Sequence, residues 1–123
     1  MNGMSMNDLI RFGRSWAYAP ELTITGNGTI SKGYDKTQRC YQLEIKNSTT
    51  ATVGLTLKGS KDSPVINPAI VVKNWNSNGA KILVNGKESK NSKVGINHQL
   101  DGDDLVLYIS LNEEVPVIIT IKK

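Results

Sequence analysis

Carboxylates are the most conspicuous reactive groups in this sequence. Asp101-Gly102-Asp103-Asp104 gathers three of them beside a glycine. Hard cations such as calcium are held by several oxygen ligands, so a metal reading is natural. The segment lacks the length and spacing of an EF-hand loop, however, and Asp-Gly turns a chain tightly with or without a metal. A turn is favoured, and neither a metal nor a cofactor is expected. Glu113-Glu114 offers a second acidic pair. Glycosidases place two carboxyl groups roughly 5–9.5 Å apart, in a cleft that separates their pKa values. Neighbours in a turn instead point apart and into water.

Thiol and imidazole chemistry is limited by supply. Cys40 is the one cysteine and His98 the one histidine, too few for a disulfide or a zinc site built from this chain. Nucleophilic use of Cys40 would require His98 beside it in the fold. Cys40 falls in a strand-like run, where a buried thiol behaves as a small hydrophobe. No serine elbow, phosphate loop or metal-binding helix motif occurs. No catalytic residue is assigned, and the chain is not expected to be an enzyme.

The aromatic residues suggest binding instead. Sugar-binding proteins use exposed Trp and Tyr faces, because the C–H face of a pyranose stacks on an aromatic plane while polar neighbours reach its hydroxyls. Trp75 runs into the amide-rich turn Asn76-Ser77-Asn78-Gly79. Trp75, Asn76, Asn78 and Tyr34 are therefore the candidate carbohydrate surface. The competing reading makes Trp75 a plug at the end of the core. Trp16 and Tyr18, before Pro20, are candidates for docking against a neighbouring domain. Tyr41 and Tyr108 lie within strand-like runs and are expected to pack.

The elements that would position these residues are strands. The stretch Asn67–Lys87 reads as two β-runs, Ala69–Lys73 and Lys81–Val84, in a meander closed by Asn85-Gly86. That dipeptide is typical of a two-residue hairpin turn, in which both central residues need positive φ. Alternation recurs over Glu21–Thr25, Cys40–Lys46, Thr52–Lys58, Leu105–Leu111 and Val115–Ile121, with Val94-Gly95-Ile96 a briefer candidate. Pro116 suggests an edge strand or a strand start, and Pro64 and Pro68 interrupt any long strand between them. About eight short strands at regular spacing predict an all-β fold. An antiparallel, two-sheet, immunoglobulin-like β-sandwich is expected, with one wet and one buried face per sheet. Residues 1–14 read as an arm or linker, and residues 15–123 as the sandwich domain.

Composition bounds the rest. At 123 residues, 38% hydrophobic and 21% charged, the chain fits one globular domain. No apolar run approaches the roughly 18 residues of a membrane helix, so no membrane partner is expected. The formal charge is +4, from 15 basic and 11 acidic residues, and most lysines are scattered singly between strands. A nucleic-acid footprint would cluster them beside a reading motif, so no nucleic-acid partner is expected. The N-terminus lacks a secretory h-region and cleavage site. That fits either a cytoplasmic protein or a segment excised from a longer parent.

Ser15-Trp16-Ala17-Tyr18-Ala19-Pro20-Glu21-Leu22, Gly33-Tyr34-Asp35, Asn67–Trp75 and Val84-Asn85-Gly86-Lys87 together resemble small C-terminal β-sandwich modules. Such modules are appended to secreted, multidomain polysaccharide-processing proteins of Bacteroidetes-type bacteria. The resemblance covers about Trp16 to the end and includes no catalytic signature. It implies a non-catalytic accessory domain in a periplasmic or extracellular parent, packing against or spacing a catalytic domain that is its partner. A carbohydrate-binding module with polysaccharide as partner is the alternative reading. A cell-surface adhesion domain working through an exposed sheet edge is a third.

Overall fold

Strict alternation of apolar and polar residues leaves an extended chain as the backbone conformation that puts every apolar side chain on one face. Val117, Ile119 and Ile121 show this in the last strand: each is 0% exposed, while Ile118 between them is 54% exposed. The computed structural model describes residues 19–123 except Asn27, Ser48 and Asp101. Trp16, Tyr18 and the 1–14 arm therefore lie outside the described residues, as does Asp101. Among the described residues there is no α-helix, and none long and apolar enough to cross a membrane.

Among the described residues twelve strands form, against the roughly eight expected. They are β1 (Leu22–Thr25), β2 (Thr29–Asp35), β3 (Cys40–Ile45), β4 (Thr52–Leu57), β5 (Val65–Ile66) and β6 (Ala69–Lys73), then β7 (Lys81–Val84), β8 (Lys87–Glu88), β9 (Ser92–Gln99), β10 (Gly102–Ile109), β11 (Asn112–Glu113) and β12 (Val117–Lys122). Much of the excess is three two-residue strands, β5, β8 and β11, too short to carry any periodicity in the sequence. One five-stranded sheet has the order β1-β4-β12-β7-β8, a second β2-β3-β6-β10-β9, and β5 pairs with β11 in a small third sheet. Leu55 and Ile119 of the first five-stranded sheet share one buried apolar cluster with Leu43, Ile70 and Leu107 of the second, so the fold is sandwich-like.

Two expectations need correction. The pairing is not antiparallel throughout, because β3 and β6 run parallel from Tyr41↔Ile70 to Glu44↔Lys73. Parallel neighbours need a crossover connection, and here the chain passes through β4 and β5 before returning. Nor is Asn67–Lys87 a continuous meander. β6 belongs to the second sheet and β7 to the first, so Asn74–Ala80 is a crossing loop rather than a hairpin turn. The Asn85-Gly86 hairpin does form, with φ of 51° and 82° at its two central residues. Pro116 directly precedes β12, which lies inside its sheet between β4 and β7, so the strand-start reading holds and the edge reading does not.

Candidate functional site

Trp75 is the first site residue the structure relocates. Its ring is 0% exposed, its indole N–H donates to the Gly79 carbonyl at 3.0 Å, and Lys123 Nζ stands 5.4 Å from the ring centroid. A stacking platform needs a bare face, and Trp75 has none; it plugs the core where the chain crosses between sheets. Asn76 is exposed, but its side chain is engaged. Asn76 Oδ1 accepts from Asp103 N at 2.7 Å, while Asn76 N donates to the Asp103 carbonyl at 3.2 Å. The residue is a clamp between the crossing loop and β10. Asn78 is exposed on that loop.

Tyr34 is far from this group. It is half-buried against Tyr41, with ring centroids 4.9 Å apart, opposite Ile70 at the start of β6. Trp75 follows the other end of β6, roughly 15 Å away at the usual rise of a strand. The four expected sugar-binding residues are not brought together. Tyr41 packs as expected, its hydroxyl donating to the Pro20 carbonyl at 2.6 Å, and burial pushes that phenol well above its ordinary range. Tyr108 departs from expectation: it is 40% exposed on the outer face of the second sheet.

Cys40 and His98 do not meet. β6 and β10 separate their strands, and His98 Nδ1 is instead 2.8 Å from Asp103 Oδ1. Burial of Cys40, reinforced by the charge of Asp35, pushes the thiol pKa up and so suppresses the nucleophilic thiolate. Asp103 and Asp104 alternate along β10: Asp103 turns to His98, whereas Asp104 Oδ1 accepts from Asn74 N at 3.3 Å. Among the described residues no cluster of three potential ligands could hold a metal.

A sizeable concavity lies elsewhere, on the outer face of the second sheet. It is a trench of about 510 Å³, lined by residues from all five strands of that sheet or the loops that join them. Strand register explains its shape. Gly33, Gln42, Val71, Val106 and Gly95 form one cross-strand row from β2 to β9. The row ends in glycine at both edge strands, and in each case the space a Cβ would occupy is open. Gln42, Val71 and Val106 of that row line the trench, with the two valines as an apolar centre, and the low glycines lie beyond its ends.

Polar groups rise on either side of that row. Lys73, Asp104, Asn97 and Gln99 form one wall. Opposite them, Gln38 is brought over the sheet by the β2–β3 turn, in which Asp35 Oδ1 accepts from Thr37 N at 2.9 Å and from Gln38 N at 3.0 Å. Lys32 sits in a β-bulge, where the β2–β3 register shifts between Ser31 and Gly33. A bulge re-aims the extra residue. Here it turns the Lys32 ammonium to within 2.8 Å of Glu44 Oε2, while Lys46 Nζ lies 3.1 Å from Oε1. Those two ammonium groups, Lys32 first, hold the Glu44 carboxyl below its ordinary pKa. A second cavity, beside Tyr34 and Tyr41, measures about 40 Å³, little more than the space one water takes in the liquid.

Alternation over Cys40–Lys46 puts Gln42 on the face opposite Tyr41 and Leu43, yet nothing in the sequence marks the trench. Its residues look like ordinary solvated positions until the register aligns them. No family model matches the chain, and neither does a curated protein sequence or a solved structure.

Proposed function

We propose that the chain is a non-catalytic, immunoglobulin-like β-sandwich module that binds a carbohydrate chain in the trench across its second sheet. In this reading it is an accessory part of a secreted polysaccharide-processing protein, acting outside the cell or in the periplasm beside a catalytic domain. The observation that carries the reading is the trench itself, about 510 Å³, with an apolar centre and carboxamides from Gln38, Gln42, Asn97 and Gln99 around it. A carboxamide both donates and accepts hydrogen bonds, as a sugar hydroxyl does, so such a lining matches a polyhydroxylated ligand without needing charge. Val71 and Val106 suit the C–H faces of the rings. The volume falls within the range of small-molecule sites. Glycine at both edges suits a chain that extends beyond the trench at either side. Tyr108, one row away on the same face, supplies an exposed ring for stacking. The state of Glu44 also favours binding over hydrolysis: a carboxyl held ionised by two ammonium groups is a poor proton donor.

Gly95→Val tests this reading. Open space surrounds the missing Cβ, and valine suits a strand, so the melting temperature should stay within about 2 °C. The new side chain stands beside Val106 at the β9 end of the trench, across the path of a chain that leaves it there. Retention by polysaccharides in affinity gels should therefore fall severalfold relative to the wild type. Wild-type protein that no soluble polysaccharide retards, or a G95V protein that is retarded equally, would defeat the proposal.

A further inference from the structure

We infer that the trench selects an acidic glycan, one carrying carboxylate or sulfate groups, and that Lys73 is the residue that reads the anion. The inference rests on the carbohydrate reading above and deepens it. Lys73 is exposed at the end of β6 and lines the trench. Its cross-strand neighbour on β3 is Glu44, which would ordinarily neutralise it. Glu44 is already committed: one carboxylate oxygen faces Lys32 at 2.8 Å and the other Lys46 at 3.1 Å. Asp104, the acid on the other side, has Oδ1 engaged by the Asn74 N–H. Among the described residues, no carboxylate lies within ion-pair distance of the Lys73 ammonium.

The trench lining therefore holds two ammonium groups, Lys32 and Lys73, against one carboxylate, Asp104, while beside it Lys46 and Glu44 add one charge of each sign. The surplus charge of the lining is positive, and on the same outer face Lys93, paired with Tyr108 at the β9 edge, is offset by Asp35, whose Oδ2 accepts from Gln42 Nε2 at 3.4 Å. Covering an unneutralised ammonium with a neutral ligand removes its water and returns little. Covering it with an anion replaces that water by a charge-assisted hydrogen bond. An ammonium is a point charge that accepts carboxylate or sulfate alike, so the lysine sets the sign of the ligand and the carboxamides set its polyhydroxyl character.

Calorimetric titration at low salt tests the inference on the full chain. The probes are oligogalacturonate and its carboxyl-reduced, neutral counterpart, together with a sulfated galactan and its desulfated form. At least one acidic probe should bind about tenfold tighter than its neutral partner, and the advantage should shrink as salt is added. Which acidic probe binds separates carboxylate from sulfate recognition. Lys73→Gln should remove that advantage while leaving the melting temperature unchanged, and Lys73→Arg should retain much of it. Lys122→Gln makes the same change in net charge on β12 of the other sheet and should have no effect. Equal binding of acidic and neutral probes, or equal weakening by K73Q and K122Q, overturns the inference while the carbohydrate reading stands. Failure of every probe to bind would count against both.

Discussion

At Trp75, two readings that the sequence left open meet one geometry. Asn74 and Asn76 both adopt positive φ, 63° and 54°, and Asn76 ties the crossing loop to Asp103. The amides around this tryptophan thus serve the backbone. They looked like sugar ligands because asparagine suits both tasks: it tolerates the left-handed region, and it hydrogen-bonds hydroxyls as readily as peptide groups. The sequence does not distinguish a tryptophan above such a loop from one beneath it. Trp75→Ala should cost about 3–5 kcal/mol, as expected for emptying a fully buried aromatic site. Thermal melts followed by circular dichroism would register that as a large fall in melting temperature. Below the transition, polysaccharide retention per folded molecule should be unchanged. The opposite pair of results, an intact melt and lost retention, would return Trp75 to the surface.

At the scale of elements, alternation made most of the longer strands legible, and Asn85-Gly86 made one hairpin legible in detail. Side-chain periodicity says which face a strand buries and nothing about which sheet it joins. Ala69–Lys73 and Lys81–Val84 therefore read as neighbours although the chain crosses between sheets at Asn74–Ala80. The parallel β3·β6 pair was hidden for the same reason. Glycines carry element-scale information that composition does not. A Cβ on Gly95 would meet open space, whereas one on Gly59 would run into the backbone carbonyl of Val115 and the side chain of Val65. Gly59 is buried just after β4, where its N–H donates to the Leu57 carbonyl at 2.9 Å. Backbone on one side and a buried valine on the other leave little room to yield. Gly59→Ala should destabilise by about 1–3 kcal/mol, the usual cost of overpacking. Denaturant titration would measure this as a lower midpoint, and an unchanged midpoint would show that the β4–β5 loop relaxes freely.

For the molecule as a whole, the same strands serve two surfaces at once, and that determines what a sequence can reveal of each. The inner surface announces itself through runs of Val, Leu and Ile at every second position. The outer trench emerges only when Gln42, Val71, Val106 and two edge glycines fall into one row, which requires the register of four strand pairings. Adjacent residues of β10 therefore make the sharpest comparison. Leu107 is 0% exposed and belongs to the cluster common to both five-stranded sheets, whereas Val106 is 41% exposed on the trench floor. Leu107→Ala should destabilise by about 2–5 kcal/mol. Because the sheets share that cluster, unfolding should remain a single transition in which tryptophan fluorescence and far-ultraviolet circular dichroism coincide. Val106→Ala should shift the midpoint by less than about 1 kcal/mol and weaken glycan retention, since its methyl groups face the trench rather than the core. If the two substitutions had equal effects on stability, or if the two probes separated, the sheets would not be acting as one body built around a common interior.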